Sequence, residues 1–171
     1  MRSPKRRGSS PPLYPDQTAQ LAELRAIYAE VDRLLGGWSC DASTECCRFG
    51  VTGREPYPTA IETAELERAI RARGGLPKRR ALRVLRDDAR DERACALLSD
   101  EGRCLVYASR PFGCRTFFCE RAVGPTRELP RAQIAELARN IAALSVRFAP
   151  RDPGPRPMSR VARAWEAERE G

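Results

Sequence analysis

The chain has no histidine. That absence removes the commonest general base in enzymes and leaves any soft-metal chemistry to thiolates. Nowhere does an apolar run approach the roughly 18 residues that a membrane-spanning helix requires. The opening stretch MRSPKRRGSSPPLYPDQ is basic, yet Pro4, Gly8, Ser9, Ser10, Pro11 and Pro12 stand where a secretory signal would need an apolar segment. Also lacking are a glycine-rich dinucleotide loop, a phosphate-binding P-loop, a nucleophile elbow and the C-x3-C-x2-C arrangement of radical enzymes. No repeat of solenoid length is present. These absences point to a soluble cytoplasmic protein and leave open whether it is an enzyme.

What is there in strength is charge and cysteine. A net charge of +8 raises the possibility of nucleic-acid binding. Arginine, however, is interleaved with Asp and Glu, as in ELERAIRARGG and RVLRDDARDER, a pattern expected of solvated, ion-paired helix faces. Only Arg2 to Arg7 and Lys78 to Arg83 are locally basic, and neither stretch carries the aromatics that stack on bases. The balance argues against a nucleic-acid partner.

With 171 residues and 42% apolar content, the chain can bury one core. Residues 1–15 read as a disordered basic tail, 16–149 as the folded domain, and 150–171 as a proline-rich linker with a short C-terminal helix. A first helix is expected from an Asp16 N-cap, with Leu21, Leu24, Ile27, Tyr28, Val31, Leu34 and Leu35 at three- and four-residue steps until Gly36-Gly37. A capping box of Thr59 and Glu62 opens a second, with Ile61, Leu66, Ala69 and Ile70 on its apolar side and Gly74-Gly75 at its end. A third is expected over about Lys78 to Arg90. A fourth follows Pro130 with the stripe Ile134, Leu137, Ile141, Leu144 and Phe148. The last, Ser159 to about Arg169, offers Val161, Ala162 and Trp165 for docking and is expected to be loosely held. The fold class is therefore mainly α: a small irregular helical domain in which two cysteine-rich loops converge on a metal site.

Those loops hold all seven cysteines: Cys40, Cys46 and Cys47 in the first, Cys95, Cys104, Cys114 and Cys119 in the second. In a reducing compartment such concentration serves metal binding or redox work. An odd number also sits badly with complete disulfide pairing. Zinc takes four tetrahedral ligands, and an iron–sulfur cluster commonly takes four thiolates, so the donor set suits either cofactor. The seven cysteines are the candidate ligand pool. Adjacent Cys46 and Cys47 cannot easily point at one ion without local distortion. Arg48, Arg103, Arg110, Arg115 and Arg121 lie close enough in sequence to balance thiolate charge. Tyr107 reads either as a hydroxyl donor beside the site or as core with a wet tip. Pro111 is expected to start a turn that aims Cys114 inward, and Phe112, Phe117 and Phe118 to shield the site.

The string CDASTECCRF resembles the C-x2-C-x2-CC signature of the YkgJ-like cysteine-cluster family, a zinc- or iron-chelating domain. The later string, from Cys95 through GRCLVY (Cys104 and Tyr107) to RPFGCR (Arg110, Pro111, Cys114 and Arg115), is similar to that family's second half. The resemblance spans about Trp38 to Cys119. It implies a metal ion or cluster as the partner, held by the cysteines, with Tyr107, Arg110 and Arg115 around it. The pattern departs at Ser43, which stands where the second signature cysteine would fall; serine is a poor ligand for a soft metal, so the role of Cys40 is the least secure. Two functions follow as expectations: a metal-binding protein whose cluster supports redox or cluster-assisted chemistry, or a structural zinc module that shapes a helical surface for a protein partner.

Overall fold

The computed structural model describes residues 15–38, 45–76, 94–99, 101–117 and 129–170. Residues 1–14 of the expected tail, Cys40, Ser43, the helix expected over Lys78 to Arg90, Phe118, Cys119 and Arg121 lie outside them. Among the described residues the protein is mainly helical: α1 (Pro15–Leu34), α2 (Phe49–Thr52), α3 (Ala60–Ala72), α4 (Phe112–Thr116), α5 (Arg131–Phe148) and α6 (Met158–Glu170). Bridge pairing among them is limited to two isolated antiparallel bridges, Arg48 with Ala94 and Leu98 with Cys104. No described helix is long and apolar enough to cross a membrane.

The helix starts follow local chemistry. Proline at the first position of α1 has its φ already set for a helix, so α1 begins one residue before the expected cap and Asp16 sits in its first turn. In α3 the Glu62 carboxylate reaches back to accept from the Thr59 backbone N–H at 2.8 Å and from its hydroxyl at 2.9 Å. At the other end Gly74 and Gly75 take φ of 88° and 99°, and the Gly75 N–H closes onto the Ile70 carbonyl at 2.8 Å. Only glycine adopts this left-handed pair without strain, and it stops the helix while satisfying an orphan carbonyl.

α3 lies between two apolar clusters. Ile61 packs with Leu21, Leu24 and Tyr28 of α1 and with Ile141 and Leu144 of α5. Leu66 and Ile70 pack instead with Phe49, Leu97 and Val106 of the cysteine-bearing segments and with Met158, Val161, Ala162 and Trp165 of α6. The last helix is thus built into the larger core, with Met158 adding a fourth anchor to the three seen in the sequence.

The stretch before it is fastened as well. Arg156 and Met158 N–H groups donate to the Pro58 and Pro56 carbonyls at 3.1 and 3.0 Å, and the Ser145 hydroxyl donates to the Pro153 carbonyl at 2.9 Å. Ser159 N–H donates to Glu55 at 2.5 Å. Proline supplies no N–H, so in a segment this rich in it the remaining donors and the carbonyls make the attachment.

Trp165 is 7% exposed, and its indole N–H reaches Glu67 at 3.3 Å. Trp165→Ala should therefore cost about 3–5 kcal/mol in urea unfolding. Val146→Ala, at a half-exposed position on α5, should change stability by less than about 0.5 kcal/mol in the same assay.

Candidate functional site

The two cysteine segments are joined through their backbones. Glu45–Cys47 forms one turn of 3-10 helix, Arg48 then bridges Ala94, and Cys95 N–H donates to the Cys47 carbonyl at 2.7 Å. The second segment doubles back on itself: Leu105 N–H donates to Leu97 at 2.8 Å and Ser99 N–H to Arg103 at 2.8 Å, around a turn at Gly102 whose φ is 73°. This hairpin-like return pairs Cys104 with Leu98, three residues after Cys95. Cys95 and Cys104 adjoin the larger core together with Cys47. Cys95 is buried, Cys47 and Cys104 are half-buried, and Cys46 and Cys114 are exposed.

The thiols of both segments act on one another. Cys47 holds the pKa of the Cys46 thiol beside it down to about 6, and Cys46 in turn pushes the Cys47 thiol well up. Backbone N–H groups of the same turn and the Arg110 guanidinium add to the lowering at Cys46. Charges on Cys95 and Cys104 add to the rise at Cys47. At Cys104 burial raises the thiol pKa against the opposing pull of the Val106 N–H and Arg110. Cys114 is exposed as a residue, yet the protein packed around its thiol disfavours the thiolate, and charges on Cys95, Cys104 and Cys46 push its pKa further up.

The two arginines of the second string do different things. Arg110 stacks on the Tyr107 ring with its guanidinium carbon 4.0 Å from the centroid, donates to the Tyr107 carbonyl at 3.1 Å and pairs with Asp32 at 3.5 Å. Its charge reaches Cys46 and Cys104. Arg115 is 4% exposed. Each of its three guanidinium nitrogens donates to oxygen: Nε to the Arg110 carbonyl at 2.9 Å, and the other two to Asp32 and to the Ala108 carbonyl. It also lies over the Tyr28 ring at 4.1 Å. Arg115 thus fastens its loop to α1, where charge balance at sulfur was expected of it. Tyr107 is 64% exposed, so it is not core with a wet tip; it forms an outward platform for Arg110.

Other expected residues are placed as follows. Arg48 and Arg103 have exposed side chains. Pro111 occupies the N-cap position of α4, and Cys114 N–H donates to its carbonyl at 2.9 Å. Phe112 packs on the α1–α5 cluster, and Phe117 is half-buried beneath Arg54 at 5.5 Å.

A polar network that the sequence reading missed ties this loop to α3. Glu62 and Glu65 are 3% and 1% exposed. Glu62 accepts from the Tyr28 hydroxyl at 3.1 Å and from Phe112 N–H at 2.7 Å. Glu65 accepts from Ser109 at 3.0 Å, from Arg68 at 2.7 and 2.8 Å and from Arg25 at 2.9 Å. The signal that could have exposed it is spacing: Glu65 lies four residues after Ile61 and four before Ala69, on the apolar side of α3.

Among the described residues no group of three or more Cys, Asp or Glu side chains is arranged to hold a metal ion. No family model, curated protein or solved structure matches this chain.

Burial alone would raise the Glu65 pKa, but hydrogen bonds from Arg68, Arg25 and Ser109 outweigh it and hold the carboxyl at about 2, below its ordinary 4.5. The unfolded chain therefore takes up this proton first as pH falls. The stabilisation is complete above about pH 4.5 and disappears as pH drops through about 2. Glu65→Gln should cost about 3–5 kcal/mol at pH 7 because it leaves Arg25 and Arg68 facing a neutral group. Its difference from the parent chain, followed by urea unfolding from pH 7 to 2, should shrink in that acid window.

Proposed function

We propose that the chain is a cysteine-ligated metal-binding protein that takes an iron–sulfur cluster or zinc. The observation that carries this reading is the backbone junction of the two cysteine segments, where Cys95 N–H donates to the Cys47 carbonyl at 2.7 Å, Cys104 bridges Leu98, and all three cysteines adjoin one core. Thiolates gathered in one region repel one another unless a cation offsets their charge, and a soft cation is what thiolates select. The ligand pool is Cys40, Cys46, Cys47, Cys95, Cys104, Cys114 and Cys119. The resemblance of CDASTECCRF and of the Cys95–Arg115 string to the YkgJ-like cysteine-cluster family supports the same reading. Arg110 would offset part of the negative charge of a thiolate centre, and an iron–sulfur cluster would supply electron-transfer or cluster-assisted chemistry. Cysteines held for metal fit a reducing compartment, and we infer the cytoplasm.

A second reading, a structural zinc module that displays a surface to a protein partner, is favoured by one observation. Cys47, Cys95 and Cys104 adjoin the same core as Leu66 and Trp165, so a metal there would tie loops to core. Under it, chelation should unfold the domain, as measured by circular dichroism.

Anaerobic purification followed by a visible spectrum and elemental analysis of one sample tests the proposal. Iron with acid-labile sulfide and a broad absorption band identifies a cluster, colourless protein with stoichiometric zinc identifies the structural site, and absence of both overturns the reading. Cys104→Ala and Cys114→Ala should each lower the metal content, with Cys40→Ala doing less; equal content in all three variants would overturn that ranking.

A further inference from the structure

An open groove of about 400 Å³ lies between the end of α3 and the return that carries Tyr107. Arg68, Ala69, Ala72 and Arg73 line it from the helix, and Val106 and Tyr107 are among the residues that line it from the loop. Its volume falls in the range of small-ligand sites. The alanines leave the space open, and no acidic side chain and no cysteine is among the lining residues. A ligand here would not depend on a metal among the thiols.

Charge decides what would fit. Glu65, almost without access to water, accepts from both Arg25 and Arg68, so one carboxylate faces two guanidiniums and one positive charge is left over. The Arg68 side chain is still 42% exposed. Arg73 is exposed and donates to the Gly75 carbonyl at 3.2 Å, and among the described residues no carboxylate pairs with it. A second uncompensated positive charge thus stands at the groove. A carboxylate ligand would offset only one of them, whereas a phosphate monoester carries a charge of about −1.5 to −2 at neutral pH and presents paired oxygens to a guanidinium fork.

Tyr107 adds a flat surface. Arg110 stacks on its ring at 4.0 Å, yet the residue remains 64% exposed, which leaves ring area for a second planar group. We propose that the groove binds a nucleoside monophosphate, with its base on Tyr107 and its phosphate between Arg68 and Arg73. A bare phosphate would leave Tyr107 and the apolar lining uncovered, and a bare nucleoside would leave the guanidiniums unmatched.

Calorimetric titration of the full-length chain with AMP at physiological salt tests the site, and one equivalent should bind. Ribose 5-phosphate lacks the base and adenosine lacks the phosphate, so each should bind at least about tenfold more weakly. Arg73→Gln and Tyr107→Ala should each weaken AMP by about tenfold or more, and Tyr107→Phe should retain it. Ala72→Leu keeps every charge and should block binding by filling the groove. Arg147→Gln, which removes the same charge from α5, should leave binding unchanged. Amide NMR shifts of the parent chain give a readout that does not depend on how the variants fold, and AMP should move residues 68–73 and 105–109 most. Absence of saturable AMP binding, ribose 5-phosphate or adenosine binding as tightly as AMP, parental affinity in Tyr107→Ala or Arg73→Gln, or shifts centred elsewhere would overturn the inference.

Discussion

Two carboxylates on one helix set the terms for much of this fold. Glu62 and Glu65 sit on α3 between two apolar clusters, with almost no access to water. Ionised carboxylates in such a place are tolerated only with full hydrogen bonding and opposite charge, and a missing partner would cost several kcal/mol. The partners come from everywhere around α3: Arg25 and Tyr28 from α1, Arg68 from α3 itself, Ser109 and Phe112 from the second cysteine segment. Satisfying them draws three parts of the chain onto one surface.

That requirement also fixes the segment that carries Cys104 and Cys114. Ser109 and the Phe112 N–H hold it to α3, and Arg115 holds it to Asp32 of α1 while binding two carbonyls of its own loop. The polar side of the segment is spent on anchorage. Among the described residues, Arg110 combines a structural contact with a charge that reaches Cys46 and Cys104. A metal bound among these sulfurs would meet a loop whose position is already determined by oxygen and nitrogen contacts.

α6 and the proline-rich stretch before it close the other side of α3. The backbone bonds to Pro56 and Pro58 align the stretch, and Met158 and Trp165 then fill the cluster that Leu66 and Leu97 begin. The cysteine segments therefore lie against a core completed by the C-terminal helix. Disturbing Trp165 would loosen the same packing that supports Cys47, Cys95 and Cys104.

Apolar periodicity made α1, α3 and α5 legible in the sequence, because a helix that buries one stripe must repeat it every three to four residues. The capping box at Thr59 and the glycine pair at Gly74 were equally plain, since both depend on neighbours within a few positions. The concentration of thiols and the absence of histidine were settled by sequence. Burial of Glu65, the anchoring role of Arg115 and the outward position of Tyr107 were decided only by tertiary structure. Each depends on what stands opposite in space: a buried charge is identified by its partners, and those partners lie 40 residues away for Arg25 and Glu65 and 83 for Asp32 and Arg115, beyond the reach of any local pattern.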